Sequence, residues 1–254
     1  MSMTTPARAL ALFISDLHLQ ESHPRTLDAF FRFLEEHGRQ TRQLYLLGDI
    51  FEYWAGDDDL DTPFNARIVA ALRTLADDGV ALFWMAGNRD FLVGQGFADA
   101  AGLTLLQEPY VIDIGGQRIA LVHGDAECTL DTKYMEFRAM VRQPAWQGQF
   151  LSMPLAQRKT IIAGLREGSR EAHTTKSYAI MDVTPDAIEA VFDATGAQVL
   201  IHGHTHRPAV YRHGARLRYV LPDWELDADP ARGGWIAIDG GGAIQRCGLD
   251  GRPA

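Results

Sequence analysis

The sequence predicts an α/β fold of two packed β-sheets with helices outside them. Three observations carry that expectation. Strand-like apolar runs alternate with helix-period segments through the first half of the chain. Helices fall only between the earlier strands, whereas the tail reads as hairpins. At 254 residues, 46% hydrophobic and 22% charged, the chain is an ordinary globular one, long enough for one large domain carrying an inserted subdomain.

The elements follow in order. "ALALFISDLHL" reads as a buried first strand, and "LDAFFRFLEEHG" as a helix with Gly38 at its C-cap. "QLYLLGDIF" is a second strand, followed by the helix "NARIVAALRTLADDG" ending at Gly79. "VALFWMAGNRD" is a third strand and leads to a short helix. "YVIDIGGQRIALVHGD" is a hairpin turning at Gly115-Gly116. Residues 131–180 break the alternation and look mostly helical. "TPDAIEAVFDATG" then has Thr184 as N-cap, Pro185 at the first helical position and Gly196 after the last turn. "AQVLIHGHTH" is a strand, and "AVYRHGARLRYVLPDW" and "GGWIAIDGGGAIQRCGL" are hairpin strands. The expected organisation is one domain, 1–254, with an inserted helical cap at about 131–180.

Composition narrows the function classes. A formal charge of −9 argues against a general nucleic-acid binder. Two cysteines, Cys128 and Cys247, make no disulfide framework, read as small core residues and suggest a reducing compartment. No apolar run approaches the ~18–20 residues a membrane span needs. The N-terminal "RALALFISD" is read as a strand rather than a signal segment. The expected place is the cytoplasm, with contact to a membrane surface left open.

The chemistry gathers at strand ends, where α/β sheets bind ligands. The first strand ends in Asp16 and His18, the second in Asp49, the third in Asn88, the fourth in His123 and the fifth in His204 and His206. Each motif alone is weak, because GD is a common turn and a histidine after a strand is often a loop residue. Together they offer seven imidazole, carboxylate and amide groups, too many for one tetrahedral zinc and suited to two first-row metals. Only Asp16 and Asp49 are anionic, so two divalent cations would leave about two positive charges in excess, which suits a phosphate ester or diphosphate. Asp49 is the expected bridge, with a water between the cations made nucleophilic. His202 also lies in "IHGHTHRP", on the face that strand alternation gives His204 and His206.

In order, these D-x-H, G-D, G-N, H and G-H-x-H motifs resemble the calcineurin-like metallophosphoesterases over residues 10–207. The resemblance implies two mixed β-sheets flanked by helices (αββα). It implies one metal site from Asp16, His18, Asp49 and His206, and a second from Asp49, Asn88, His123 and His204. His202 has no place in the motif and is read as a packed or hydrogen-bonded strand residue. Where relatives often carry histidine after G-N, this chain has Arg89, which cannot give up a proton but can stabilise charge on a phosphate. Asp90 either orients Arg89 or is a turn carboxylate.

The stretches "GDIFEYWAGDDD", "GNRDFLVG", "HGDAECTLD", "TTKSYAIMDV" and "IHGHTHRPAV" resemble one member family, the UDP-2,3-diacylglucosamine pyrophosphatases of lipid A biosynthesis. That resemblance implies hydrolysis to UMP and 2,3-diacylglucosamine 1-phosphate (lipid X), with water attacking the uridine-side phosphorus. It implies two manganese ions, a nucleotide-activated glycolipid substrate and a place on the cytosolic face of the inner membrane, with no nucleic acid and no obligate protein partner. Asp49, Arg89 and His204 become the catalytic candidates. Substrate contacts fall on Asn88, Arg89, Asp131, Ser169, His173, Lys176 and His204. Plainer readings stand beside three of these: a helix N-cap for Asp131, a helix-end hydroxyl for Ser169, and for His173 a departure from the family's usual amide.

The segment 131–180 is locally basic, with Lys133, Arg138, Arg142, Arg158, Lys159, Arg166, Arg170 and Lys176 against four acids, and it also carries aromatics such as Trp146. A basic amphipathic cap would hold acyl chains and meet anionic headgroups, whereas the plainer reading is a helical subdomain's core and solvated face. The run Asp57-Asp58-Asp59 is expected to be a solvated loop, and "LPDW" to touch no ligand. The rival readings are another metallophosphoesterase acting on a soluble substrate, and a non-catalytic scaffold.

Overall fold

The computed structural model describes residues 8–175 and 180–254, except for the side chains of 168–175. Its strands are β1 (Ala9–Ile14), β2 (Thr41–Leu47), β3 (Ala81–Met85), β4 (Leu103–Leu106), β5 (Tyr110–Ile114), β6 (Gln117–Leu121), β7 (Val199–His202), β8 (Val210–His213), β9 (Arg216–Val220), β10 (Gly234–Ile238) and β11 (Ile244–Gly248). They form two sheets, in the orders β11-β10-β1-β2-β3-β4 and β5-β6-β7-β9-β8. Both are mixed: β1 runs parallel to β2 and antiparallel to β10. Likewise β7 runs parallel to both β6 and β9, while β5 and β8 pair antiparallel at the two edges.

Strand alternation explains the layering. Ala11 and Phe13 point into the layer between the sheets with Tyr45, Leu47, Ile119, Leu121, Val199 and Ile201. Phe13, Tyr45 and Phe83 stack there, with centroids 4.9 and 4.7 Å apart. Leu12 and Ile14 face outward and pack with residues of α1 (Pro24–Glu36), α2 (Pro63–Asp77) and α3 (Gln95–Ala101). On the outer face of the second sheet, Ala120, Val122 and Leu200 meet Ile188 and Phe192 of α7 (Pro185–Thr195). The result is the helix–sheet–sheet–helix arrangement expected.

Several local expectations need correction. Gly38 does not cap α1; the helix ends at His37 and the chain enters a 3-10 turn, Gly38–Gln40, packed closely against Leu75. Thr184 is at the N-cap position of α7, but its hydroxyl makes no cap bond and instead pairs with Thr129. The strand β4, only four residues long and following a glycine, was not foreseen. The Gly115-Gly116 turn has both φ values positive, 58° and 75°, as a two-residue hairpin of that type requires.

Between β6 and α7 lie α4 (Thr132–Val141), α5 (Pro144–Leu151) and α6 (Leu155–Thr175). The acidic run is solvated only in part: Asp58 is exposed, Asp57 half-buried and Asp59 buried. Asp57 accepts the backbone N–H groups of Gly94 and Phe97 at the start of α3, Asp58 pairs with Arg158, and Asp59 pairs with Lys159 at 2.7 Å. Arg158, only 1% exposed, also donates to the Ala55 carbonyl, so α6 is clamped onto this run.

Candidate metal centre and substrate cleft

All seven expected ligands lie just past the carboxyl ends of β1, β2, β3, β6 and β7. Two groups result: Asp16, His18 and His206, and Asp49, His123 and His204, each with ligand atoms within 4.8 Å of one another. Asp49 stands between them, with Oδ1 3.7 Å from His123 Nε2 and Oδ2 3.9 Å from His18 Nε2. Asn88 Oδ1 is 3.1 Å from His123 Nε2.

The backbone is strained at these residues and, among the described non-glycine residues, only here. Asp16, His18, Asp49, His204 and His206 have φ between 48° and 66°. The left-handed region costs a side-chain-bearing residue on the order of 1 kcal/mol. Five such residues at one place mark a geometry held for function rather than for stability. Two glycines serve the same end. A Cβ on Gly87 would stand 2.2 Å from Asp49 Oδ1, and one on Gly203 would stand 2.2 Å from Asp16 Oδ2. Only a bare backbone lets the G-N and G-H loops come this close to the carboxylates.

The outer nitrogens of three histidines face a carbonyl or a carboxylate, leaving the inner ones directed at the carboxylates of the clusters. His123 Nδ1 is 2.8 Å from the Leu47 carbonyl, which can only accept, so Nδ1 carries the proton. His18 Nδ1 lies 2.9 Å from Glu52 Oε2, and His206 Nδ1 lies 3.4 Å from Asp223 Oδ2. This is the carboxylate or carbonyl support that metal-ligating imidazoles usually have. Burial opposes charge on His123 and His206. The surrounding carboxylates overcome it, taking His123 to about 9 (Asp49, Asp125, Asp16) and His206 to about 10 (Asp16, Asp223). Burial also resists ionisation of Asp16, but His206, His123 and His18 hold its carboxyl well below the usual range. Burial and then His123 push His204 down to about 4, which keeps it neutral.

The group fits divalent cations on its own chemistry. Asp16 Oδ1 and both ring nitrogens of His18 are buried without a hydrogen-bond partner, and the basic imidazoles mark a place that attracts positive charge. The donors are mixed N and O ligands, as first-row metals prefer. A further cluster, His23, Glu225 and Asp227, is already committed: Asp227 accepts the backbone N–H groups of Arg25 and Thr26 and the Thr26 hydroxyl.

Three neighbours were not foreseen. Asp223 of "LPDW" touches His206 after all, and Arg232 holds it at 2.6 Å. Glu52 touches His18 and is pulled down to about 2, because His18, Arg89 and Arg166 outweigh its burial. Asp125 of "HGD" is buried and accepts from Tyr134 and Arg138. Only Asp125 carried a local signal, a second polar residue in a strand-end motif. Asp90 proves to be the turn carboxylate, accepting the N–H groups of Gly87, Asp49, Ile50 and Phe51, and so joining the G-D and G-N loops.

His202 is fully buried, with Nδ1 2.8 Å from the Gly203 carbonyl and Nε2 3.0 Å from Arg218 Nη1. Burial and Arg218 lower it to about 3. His202→Leu should therefore cost about 1–3 kcal/mol, the cost of an unpaired buried polar group, while leaving bound divalent cation unchanged. Urea denaturation and metal analysis check both; lost metal would return His202 to the ligand set. Cys128 and Cys247 are buried and free.

A cleft of about 650 Å³ contains His18, Asp49, Asn88, Arg89, Asp131, His204 and His206 in its wall. Beside it an apolar chamber of about 330 Å³ is walled by Phe91, Phe137, Trp146, Phe150, Ile162 and Leu165, among others. Cleft and chamber share Glu52, Asn88, Arg89 and Tyr134. Asp131 also caps α4, accepting the Tyr134 N–H at 3.2 Å, in keeping with its plainer reading. Lys176 lies outside the described residues, as do the side chains of Ser169 and His173, whose backbone belongs to α6.

Comparison with known proteins identifies the family. The calcineurin-like phosphoesterase family model matches residues 10–208. The UDP-2,3-diacylglucosamine hydrolase of Aromatoleum aromaticum is 51% identical over 222 residues, covering 86% of this chain and 90% of that protein. The protein of the same name from Chromohalobacter salexigens is 47% identical over 232 residues, covering 90% and 92%. At that identity over nearly the full length of both partners, the chain belongs to the UDP-2,3-diacylglucosamine hydrolase family, within the calcineurin-like phosphoesterases.

Proposed function

We propose that the chain hydrolyses the diphosphate of UDP-2,3-diacylglucosamine, releasing UMP and 2,3-diacylglucosamine 1-phosphate (lipid X) for lipid A biosynthesis. The observation that carries this reading is the apolar chamber opening beside the polar cleft, with Arg89 on their shared wall. A diphosphate bearing an acylated sugar needs both environments at that spacing, whereas a soluble phosphodiester needs only the cleft.

In this reading Asp16, His18, Asp49 and His206 hold one divalent cation, and Asp49, Asn88, His123 and His204 hold another, manganese by family resemblance. Bound there, such a pair would supply an acidified water and a polarised phosphoryl oxygen. The chain's own groups do the rest. Arg89 sets its planar guanidinium against the diphosphate, and neutral His204 supports the developing charge at the uridine-side phosphorus. Asn88, Asp131, Ser169, His173 and Lys176 complete the proposed substrate contacts. Trp146, stacked on Phe150 at 4.9 Å, walls the acyl chains away from water.

Residues 131–180 act as a cap inserted into a single domain and touch the cytosolic face of the inner membrane. Five of the seven exposed large hydrophobic residues described, Leu130, Met140, Leu151, Ile161 and Leu165, belong to this region or its edge. Its cations contribute less than their number suggests, because Arg138, Arg158, Lys159 and Arg166 are paired with carboxylates of the body. Among the described residues no helix is long and apolar enough to cross a membrane.

The test is turnover of UDP-2,3-diacylglucosamine by metal-stripped protein with manganese added back. UMP should appear only with manganese; hydrolysis of a simple phosphodiester alone would remove the lipid from the reading. Trp146→Ala should raise KM for the long-chain substrate by about tenfold, in line with the loss of part of a large, half-buried side chain, and leave a soluble diester unaffected. An equal effect on both would place Trp146 in general packing.

A further inference from the structure

Helices α4 and α6 reach the body through carboxylates that also face the histidine clusters. On α6, Arg166 pairs with Glu52 Oε1 and lies 5.5 Å from the Tyr53 ring centroid, while Glu52 Oε2 faces His18 Nδ1 at 2.9 Å. On α4, Arg138 Nε donates to Asp125 Oδ2 at 2.8 Å and its Nη2 donates to Glu108 Oε2 at 2.9 Å. The Tyr134 hydroxyl donates to the same Asp125 oxygen. Glu108 Oε1 in turn accepts the His123 backbone N–H at 2.5 Å. Arg142, just after α4, donates to the Gly87 carbonyl at 2.9 Å, one residue before Asn88. By contrast, Arg158 and Lys159 of α6 end on Asp58 and Asp59, away from both clusters.

The same helices wall the apolar chamber, through Tyr134, Phe137, Ile162, Leu165 and Arg166. A chain filling the chamber fixes where α4 and α6 sit. Their position sets Glu52 and the Asp125–Glu108 pair, and these fix the His18 ring and the His123 backbone. We propose that Glu52, Asp125 and Glu108 are positioning residues that link chamber occupancy to divalent-cation affinity. This rests on the reading above that the clusters take divalent cations and the chamber takes acyl chains. Linkage is reciprocal: whatever factor an apolar chain adds to cation affinity, the cation adds to chain affinity. The device would withhold full metal assembly until the lipid is seated.

The experiment titrates manganese into metal-free full-length protein by calorimetry, with and without dodecyl maltoside below its micelle concentration. That neutral single-chain probe has no phosphate to bind a cation directly. Manganese affinity should rise about fivefold or more with the probe, the lower end of ordinary coupling. Arg166→Met should abolish the rise and weaken manganese binding by about tenfold, as loss of a residue supporting a metal ligand does, with Arg166→Lys recovering part of it. Lys159→Met, which cuts an α6 anchor that does not reach a cluster, should leave both values unchanged. Should Arg166→Met fail to fold, Arg166→Gln carries the same test. Equal manganese affinity with and without bound probe would overturn the linkage, as would equal effects of Arg166→Met and Lys159→Met. Wild-type protein that binds no manganese under either condition would overturn the metal reading beneath it, and the linkage with it.

Discussion

Asp49→Ala should abolish turnover, by more than about 10³-fold, and reduce bound divalent cation below two equivalents. A single lost electrostatic stabiliser typically costs about 10²–10³ in kcat, and Asp49 serves both clusters rather than one. It is 2% exposed, sits at φ 54° and lies within 4 Å of an imidazole nitrogen on each side. Its Oδ1 also accepts the Arg89 backbone N–H at 2.8 Å, so it fixes the start of the arginine as well. Asp49→Asn separates charge from shape: the amide fills the same space and loses the anion. That variant should fold normally yet lose a metal equivalent and nearly all activity. Metal analysis with UMP release checks it; normal stoichiometry and turnover in Asp49→Ala would remove the two-cation assignment.

The layers and the strand-end motifs were legible because they are local. Each candidate ligand follows the end of its strand by two to four residues, and that adjacency survives folding. What the chain could not disclose locally is the support around those ligands. Glu52 meets Arg166 across 114 residues, and Asp223 meets His206 only because the segment after β9 returns beneath the G-H-x-H loop. The same limit explains Asp57-Asp58-Asp59, which read as solvated although α6 comes back across about 100 residues to pair with Asp58 and Asp59. Strand order is also non-local: β10 pairs antiparallel with β1, from the opposite end of the chain. The positive φ values were invisible for another reason, since aspartate and histidine visit that region only occasionally and nothing in the local sequence marks where.

Arg89→Met should lower kcat by about 10²–10³ with bound metal unchanged, the scale expected when one preorganised charge stabiliser is removed. The backbone of Arg89 is fixed at both ends, its N–H on Asp49 and its carbonyl accepting from Trp54 N at 3.2 Å. The side chain is not saturated to match: Nε is buried without a hydrogen-bond partner, where the cleft and the chamber meet. The guanidinium belongs to the wall that cleft and chamber share, and a diphosphate oxygen is the anionic acceptor this cleft suits. Glu52 lies near enough to influence Arg89 electrostatically, yet Arg166 and His18 already engage both its oxygens. Because a guanidinium does not titrate in the working range, the loss should be the same at pH 6 and pH 9, unlike that of a general acid. Arg89→Lys keeps the charge but not the planar fork, so it should recover no more than about tenfold of the deficit. Steady-state kcat and KM at both pH values, beside metal content, decide the role. Lost metal in Arg89→Met would make the residue a support for Asp49, and full activity in Arg89→Lys would reduce it to a point charge at the cleft mouth.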